Sequence, residues 1–422
     1  MSDVKGLINT ESAGLTRVVN VIPEEWDLAT LEELSEFRRG SFPQPYGNPE
    51  WYDDNGFNFV QVYDVGANNR LKPITKVRIS ELAAQQSVFV SKGTVIVTLQ
   101  GSIGRVAITQ YDAYFDRTIL IFQKLAESMD RDFFAIMIKE IFDNKKGQAD
   151  GGVIKTITKE TLKSFSMIVP TLPEQQKIAA ILSSVDEVIE KTQAQINKMK
   201  DLKTGMMQEL LSPREPKAGD QTGAQASKIN GLHHTEFKDS PLGRIPAGWE
   251  VDRFDAFCIL QRGFDLPTQD RKAGDIAIYG SNGVIGYHNE ARVEGPCVIT
   301  GRSGSLGDVM YVNNDCWALN TSLYIREFYE NSRKFVYYFL IHFDLSRFGT
   351  GTGVPTLNRN DVHLVKIAIP PKEEQVKIAH ILSQLDQRIR KTESKLISIS
   401  NIKKALMQDL LTGRVRVQVD AA

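Results

Sequence analysis

Residues 170–211 and 370–411 carry one segment twice, offset by 200 with no gap between the copies. About 18 of the 42 positions are identical. Pro170, Glu174, Gln175, Lys177, Ile178, Ala179, Ile181, Leu182, Ser183, Asp186, Ile189, Lys191 and Thr192 recur in the second copy, and so do Met207, Gln208, Leu210 and Leu211. A gapless internal repeat of this length points to a chain that folds as two copies of one unit, and it divides the molecule before any other signal does.

Upstream the duplication continues with changes of register. Ile22, Pro23, Trp26, Arg39 and Gly40 answer to Ile245, Pro246, Trp249, Arg262 and Gly263 at a shift of 223. Gly101-Ser102-Ile103-Gly104 answers to Gly304-Ser305-Leu306-Gly307 at a shift of 203. Each half is therefore a variable globular segment followed by a constant helix.

With 41% hydrophobic and 24% charged residues the chain reads as an ordinary soluble protein. No run approaches the roughly 20 apolar residues that a membrane span needs, and no secretory or lipidation signal is visible, so a cytoplasmic location is expected. Cys258, Cys297 and Cys316, an odd number without CxxC spacing, argue against a disulfide framework or a zinc site. The formal net charge of −1 means that any nucleic-acid binding must rest on something other than global charge.

Within the repeat, the first copy places Leu182, Val185, Ile189, Thr192, Ile196, Met199, Leu202, Met206 and Leu210 at a mean step of 3.5. The second copy, Leu382, Leu385, Ile389, Thr392, Leu396, Ile399, Ile402, Leu406 and Leu410, follows the same series. That step keeps one seam facing a partner helix in a left-handed coiled coil. The proline before each helix, with Glu174 or Glu373 and Glu374 in the first turn, fits a helix start. If the two helices pack antiparallel, one polypeptide imitates a twofold dimer with two unlike heads. Duplex DNA has the matching local symmetry, so such a chain suits an asymmetric, split sequence.

At these residues the chain resembles the specificity subunit of Type I restriction-modification enzymes, over nearly its whole length. The resemblance is carried by Phe237-Lys238-Asp239-Ser240-Pro241-Leu242-Gly243-Arg244-Ile245-Pro246-Ala247-Gly248-Trp249, which opens the second globular segment. Pro370-Pro371-Lys372-Glu373-Glu374-Gln375, which opens the second helix, and the closing Leu410-Leu411-Thr412-Gly413-Arg414-Val415-Arg416-Val417 carry it further. It implies two target recognition domains, each reading half of a bipartite DNA site, joined by helices on which two methylase (M) subunits dock. Motor-nuclease (R) subunits can join the methylase. S-adenosylmethionine and ATP/Mg would then belong to partner subunits, with no cofactor, metal or catalytic residue in this chain.

One departure concerns the end of the first helix, which reads Leu210-Leu211-Ser212-Pro213-Arg214-Glu215-Pro216 and runs into a polar stretch. Gly205 also stands where the second helix has Ala405, a weakness of up to ~1 kcal/mol. A methylase's own signature is missing. Asn48-Pro49-Glu50-Trp51 lacks the second proline of a base-flipping Asn-Pro-Pro element and reads as an ordinary turn. No GxxxxGK[ST] loop occurs, and the six histidines, all in the second half, show no metal-ligand spacing.

Candidate DNA contacts follow from residue chemistry. The strand-like runs Gly93 to Thr98 and Cys297 to Thr300 lead into the two glycine loops, edged by Gln100, Ser102 and Arg105, or by Arg302, Ser303 and Ser305. Arg and Gln match guanine and adenine edges, while a plain hairpin turn with solvated side chains explains the same residues. Arg39 and Arg262 are candidate phosphate contacts, against surface ion pairs. Ser281 and Asn282 in the loop Tyr279–Gly283, together with Asn320, Gln61 and Tyr63, complete the set.

The expected architecture is α/β, with two globular domains on small twisted sheets separated by a long antiparallel two-helix coiled coil. Recognition domains are expected at 1–169 and 236–369, helices at 170–212 and 370–415, a polar linker at 213–235 and a tail at 416–422. The helix partners are expected to meet through Leu182, Val185, Ile189, Ile196 and Met199, and through Leu382, Leu385, Ile389, Leu396 and Ile399. Two other classes stay open on the sequence: a self-sufficient DNA methyltransferase or nuclease, and a coiled-coil adaptor whose heads bind proteins.

Overall fold

The computed structural model describes residues 22–66, 68–148, 159–212, 232, 234–351 and 355–419. Most of the polar linker expected at 213–235, including the Pro213–Pro216 departure, lies outside them, as do residues 420–422 of the tail. The chain forms two compact units, Met1–Lys191 with Ile397–Ala422, and Thr192–Leu396. The division passes through both long helices, Leu172–Leu211 and Lys372–Leu410, so each unit holds the start of one and the end of the other.

In the first unit the central sheet has the order Ser35–Arg39, Ile119–Leu125, Val95–Thr98, Val106–Ile108, all antiparallel. Val95–Thr98 and the first half of Ile119–Leu125 are buried on both faces. Val95 and Val97 face a helical core with Phe133 and Phe134, while Ile96 faces a smaller core with Val60 and Phe115. That double burial is why Val-Ile-Val-Thr and Ile-Leu-Ile-Phe read as continuous apolar runs instead of alternating ones. A second sheet has Tyr52–Val60 between Val77–Ile79 and Ala113–Phe115, the latter pairing parallel. The pair Asp27–Thr30 and Ser166–Val169 leads the chain into the first long helix.

The second unit repeats this plan. Its central sheet runs Ile259–Arg262, Ser322–Glu327, Cys297–Gly301, Val309–Val312. Val298, Leu323 and Ile325 face the helical core, and Ile299 and Tyr324 the smaller one. Ile276–Gly280 pairs antiparallel with Gly283–His288 and parallel with Trp317–Ala318. Glu250–Arg253 pairs with Lys366–Ile369 ahead of the second long helix. The two units thus share sheet order and strand direction, and the expected α/β class with small sheets holds for both.

Contacts inside each unit explain the identities between the long helices. Glu174 accepts from the Trp26 indole at 2.9 Å, and Glu374 from Trp249 at 3.1 Å. Gln175 accepts from the Asp130 backbone and donates to the Ser128 and Pro170 carbonyls. Gln375 accepts from the Ser332 backbone and donates to Asn331 and the Pro370 carbonyl. Asp130 and Ser332 are the residues whose side chains cap the helices Arg131–Gln148 and Arg333–Phe343. Each glutamine therefore fixes a head's helix to a long helix. Buried polar groups keep this role only while every bond is met, so the residue type is not free to drift.

The helix segments within each unit run antiparallel. In the first unit Glu174 binds Arg416 and Asp186 binds Lys403. In the second, Lys200 binds Glu393 and Lys203 binds Asp386. Ile178, Ala179 and Leu182 share the first core with Leu410 and Leu411, and Ile378, Ala379 and Leu382 share the second with Leu210 and Leu211. Full burial of one such Leu or Ile is worth about 1.5–3 kcal/mol. Ile196, Leu385 and Ile389 are buried as the seam requires, and Val185, Met199, Leu396 and Ile399 are half-buried.

The seam departs from its expected series at one repeated place. Leu202 and Ile402 are more than half exposed, and the neighbouring Lys203 and Lys403 turn inward to Asp386 and Asp186. A helix of 3.6 residues per turn drifts from a strict 3.5 repeat, and an ion pair takes the seam where the apolar stripe has rotated away. Among the described residues no helix is long and apolar enough to cross a membrane.

Candidate nucleic-acid interface

In both units the first strand of the central sheet ends at an arginine followed by a glycine. Arg39 ends Ser35–Arg39 and Arg262 ends Ile259–Arg262. The glycine is obligatory at this corner. A Cβ on Gly40 would lie 2.2 Å from the Phe115 carbonyl oxygen, and one on Gly263 2.2 Å from that of Leu319. The chain then passes close to a turn at 116–118 or 319–321. Gly40 N–H donates to the Ile119 carbonyl at 3.0 Å and Gly263 N–H to that of Ser322 at 3.1 Å.

The two glycine loops end at the same corner. Leu99 N–H donates to the Thr118 carbonyl at 2.8 Å, and Arg302 N–H to that of Thr321 at 2.9 Å. Gly101 and Gly104, like Gly304 and Gly307, adopt positive φ, which explains the glycines of both four-residue motifs. The strands leading in are Val95–Thr98 and Cys297–Gly301, the first starting two residues later than expected.

In the second unit the structure gathers most of the expected residues. Asp265 accepts from Arg262 at 3.2 Å and from the Asn320 side-chain amide, and Arg302 donates to the Asn320 main-chain carbonyl at 3.4 Å. The backbone of Ser303 donates to Thr321 at 3.2 Å. The Ser281 hydroxyl sits 3.9 Å from where a Cβ on Gly304 would be, and a Cβ on Gly301 would meet the Ser305 carbonyl. The stretch Tyr279–Gly283 is not a long loop. Gly280 and Gly283 pair across a hairpin whose two-residue tip is Ser281-Asn282, with Asn282 exposed.

The first unit builds its corner differently. Gln100, Ser102 and Arg105 are exposed, and Thr98 Oγ1 holds the loop by donating to the Ser102 carbonyl at 2.5 Å. Arg105 donates to the Val65 carbonyl at 3.2 Å, and Gly101 approaches Val62, so the loop lies beside the Gln61–Asp64 turn. There the Tyr63 hydroxyl donates to Gln61 and Lys76 stands 5.0 Å over the Tyr63 ring. Asp116, buried at the corner, accepts from Tyr46 and from Thr118. Burial and then the Asp116 carboxylate push the Tyr46 hydroxyl far up, and burial with Asp64 and Asp116 raises Tyr63. These phenols stay protonated as donors.

Two corner residues carry no motif and were not expected from the sequence. Arg117 is exposed, with its guanidinium 5.1 Å over the Tyr46 ring. Asp265 is visible only through its partners, which are three and 55 residues away. Asn48-Pro49-Glu50-Trp51 is a turn in which Asn48 caps Glu50 at 3.2 Å. His363 accepts the Leu260 N–H at 3.0 Å in the second core, and burial lowers its pKa, opposed by Asp255. The three cysteines are buried and free, Cys297 and Cys316 with sulfurs 3.6 Å apart.

Comparison with known proteins places this architecture. The sequence pattern described as the Type I restriction modification DNA specificity domain matches residues 23–200 and again 246–401. The chain is 22% identical over 446 residues to the Type I restriction enzyme MjaVIII specificity subunit of Methanocaldococcus jannaschii, covering 94% of each. It is 24% identical to the putative type I restriction enzyme MjaX specificity subunit of that organism, covering 95% of this chain and 96% of the relative. Among solved structures, the Type-I restriction-modification system S subunit from M. genitalium shares the fold with a TM-score of 0.61 at 19% identity, over 94% of this chain and 98% of that one. With two matches that together span most of its length, in the same duplicated order as the two units, the chain belongs to the Type I restriction-modification DNA specificity family and is a non-catalytic specificity subunit.

Proposed function

We propose that this specificity subunit binds an asymmetric, bipartite DNA site, with the domain at 1–169 reading one half and that at 236–369 the other. The observation that carries the reading is the repeated corner. Its backbone bonds are the same in both units, while side chains it presents at equivalent positions differ: Gln100 and Arg117 in the first unit stand where the second has Ser303 and Asn320. A shared scaffold with unlike exposed hydrogen-bonding groups is what two readers of two different half-sites require. The candidate contacts are Arg39, Gln61, Tyr63, Gln100, Ser102 and Arg105 in the first domain. In the second they are Arg262, Ser281, Asn282, Arg302, Ser303, Ser305 and Asn320.

The long helices carry two methylase subunits, and motor-nuclease subunits join through them. The match to the specificity family over most of both long helices supports that docking role. S-adenosylmethionine and ATP with Mg are supplied by those partners, inside the cell. A net charge of −1 fits this division, because neutralising phosphate is the main source of DNA affinity.

Sequencing modified bases in cells with and without the gene, alongside its methylase, tests the reading. A split methylated motif that disappears with the gene is expected; methylation that persists unchanged refutes it. The purified chain is further expected to bind DNA weakly and to gain specificity when the methylase is added.

A further inference from the structure

The backbone bonds at the two corners align Arg117 with Asn320. Gly40 and Gly263 meet the carbonyls of 115 and 116 and of 318 and 319, and Leu99 and Arg302 bond to 118 and 321, all at a shift of 203. On the arriving strand Ser41 N–H donates to Phe115 and Phe264 N–H to Ala318, at a shift of 223, which sets Phe42 opposite Asp265. One position of a common scaffold therefore holds Arg117 in one unit and Asn320 in the other, each with its own support.

The supports differ in kind. Asp265, an acceptor only, takes the Asn320 amide N–H and the Arg262 guanidinium. That contact fixes which end of the amide faces the carboxylate. It leaves the Asn320 carbonyl oxygen and one N–H free to pair with an adenine edge, which offers one donor and one acceptor. In the first unit Phe42 is buried 4.9 Å from the Tyr46 ring, and that ring carries the Arg117 guanidinium. Tyr46 is itself held by its bond to Asp116. A guanidinium stacked in this way presents only donors, the complement of the two acceptors of guanine.

Resting on the proposed reading of split DNA sites, we infer that positions 117 and 320 are equivalent specificity determinants. Arg117 selects a guanine in one half-site and Asn320 an adenine in the other, with Tyr46 and Asp265 as their positioning residues.

The test is modified-base sequencing in cells that carry the methylase with the wild-type chain or with Asn320→Ala, Asp265→Asn or Arg117→Ala. For Asn320→Ala, one adenine of one half-site is expected to lose roughly 5- to 150-fold in preference over other bases, with the other half unchanged. Asp265→Asn, whose amide can turn either way, is expected to relax the same adenine to a smaller extent. Arg117→Ala should relax a guanine in the opposite half. A residue that merely held the fold would lower methylation at all positions alike.

Absence of a split motif with the wild-type chain defeats the functional reading itself. A normal wild-type motif that these variants leave unchanged, or blur in both halves, overturns the assignment alone. If a truncation lowers total methylation too far to read, Asn320→Arg keeps a polar hydrogen-bonding side chain at the position and should move the preference from adenine to guanine. Retention of adenine there overturns the assignment.

Discussion

Arg416 reaches Glu174 with its Nε at 2.9 Å and Glu25 with its Nη2 at 2.5 Å, and its removal is expected to loosen one unit only. The Glu174 side chain is 1% exposed, that of Arg416 43% and that of Glu25 63%. In Arg416→Met the aliphatic stem stays, but a buried carboxylate loses its cation. A hydrogen bond to a charged group contributes about 1.5–3 kcal/mol, and the partly solvated guanidinium places this one near the lower end. Trp26 and Thr171 still serve Oε2, which spares Glu174 the full cost of an unpaired buried charge. We expect a loss of about 2 kcal/mol, or roughly 4–8 °C in the melting temperature of a unit this size.

Hydrogen exchange read by mass spectrometry separates the units. Protection should fall across 22–191 and hold across 236–369. Adding Glu174→Gln should recover part of the loss, because a neutral amide has no charge to compensate. The effect also has a pH signature. Burial opposes ionisation of Glu174, but the bonds from Arg416, Thr171 and Trp26 outweigh it and hold the carboxyl below its ordinary 4.5. A depressed carboxyl contributes stability above that ordinary value and loses it as pH falls through the lower folded one. The difference between wild type and Arg416→Met should therefore shrink in strong acid. Equal losses in both units, or none in the first, would refute the reasoning.

Asp386→Ala should cost more than Asp186→Ala, by about 1–3 kcal/mol, because Asp386 accepts the Tyr338 hydroxyl at 2.7 Å in addition to its lysine, Lys203, while Asp186 accepts from Lys403; denaturant melts of the two variants check this. The second unit should weaken first on mild acidification. Burial lowers the pKa of His363 and of His342, so their contribution is full above about 6.5 and is lost as pH falls through their folded values; His363→Gln should flatten the pH profile of unfolding. Gly205→Ala should stabilise the first long helix by up to ~1 kcal/mol, since nothing lies within 4 Å of the added Cβ, and a rise in melting temperature is the readout.

The duplication and the two helices were legible because each is periodic along the chain. What the sequence did not disclose depends on closeness in space between distant residues. Lys203 and Lys403 sit one position from the expected apolar series, and only the partner helix shows why the charge belongs in the seam. Arg117 and Asp265 lie in no motif, since a corner formed by strands about 80 and 55 residues apart leaves no local pattern. The Arg-Gly pairs and glycine loops were found for the right physical reason, a backbone that must turn or approach closely. Their equivalence between units was read from the repeat; that pair and loop meet at one corner in each unit emerged only from the bonds they make.

Residues 412–417, past the end of the second long helix at Leu410, give the first unit an unusual dependence. Gly413, at φ +73, lies so close to Pro23 and Trp26 that a Cβ would meet the proline ring at 2.8 Å, and Leu410, Leu411 and Val417 belong to the first core. During synthesis most multidomain chains finish their earlier domain first. Here the second unit, Thr192–Leu396, is contiguous, whereas the first needs residues from Ile397 onward. The unit that begins earlier must wait for a segment made after the other unit is complete. A nascent chain paused with Leu396 just free would carry a completed second unit beside an open first one.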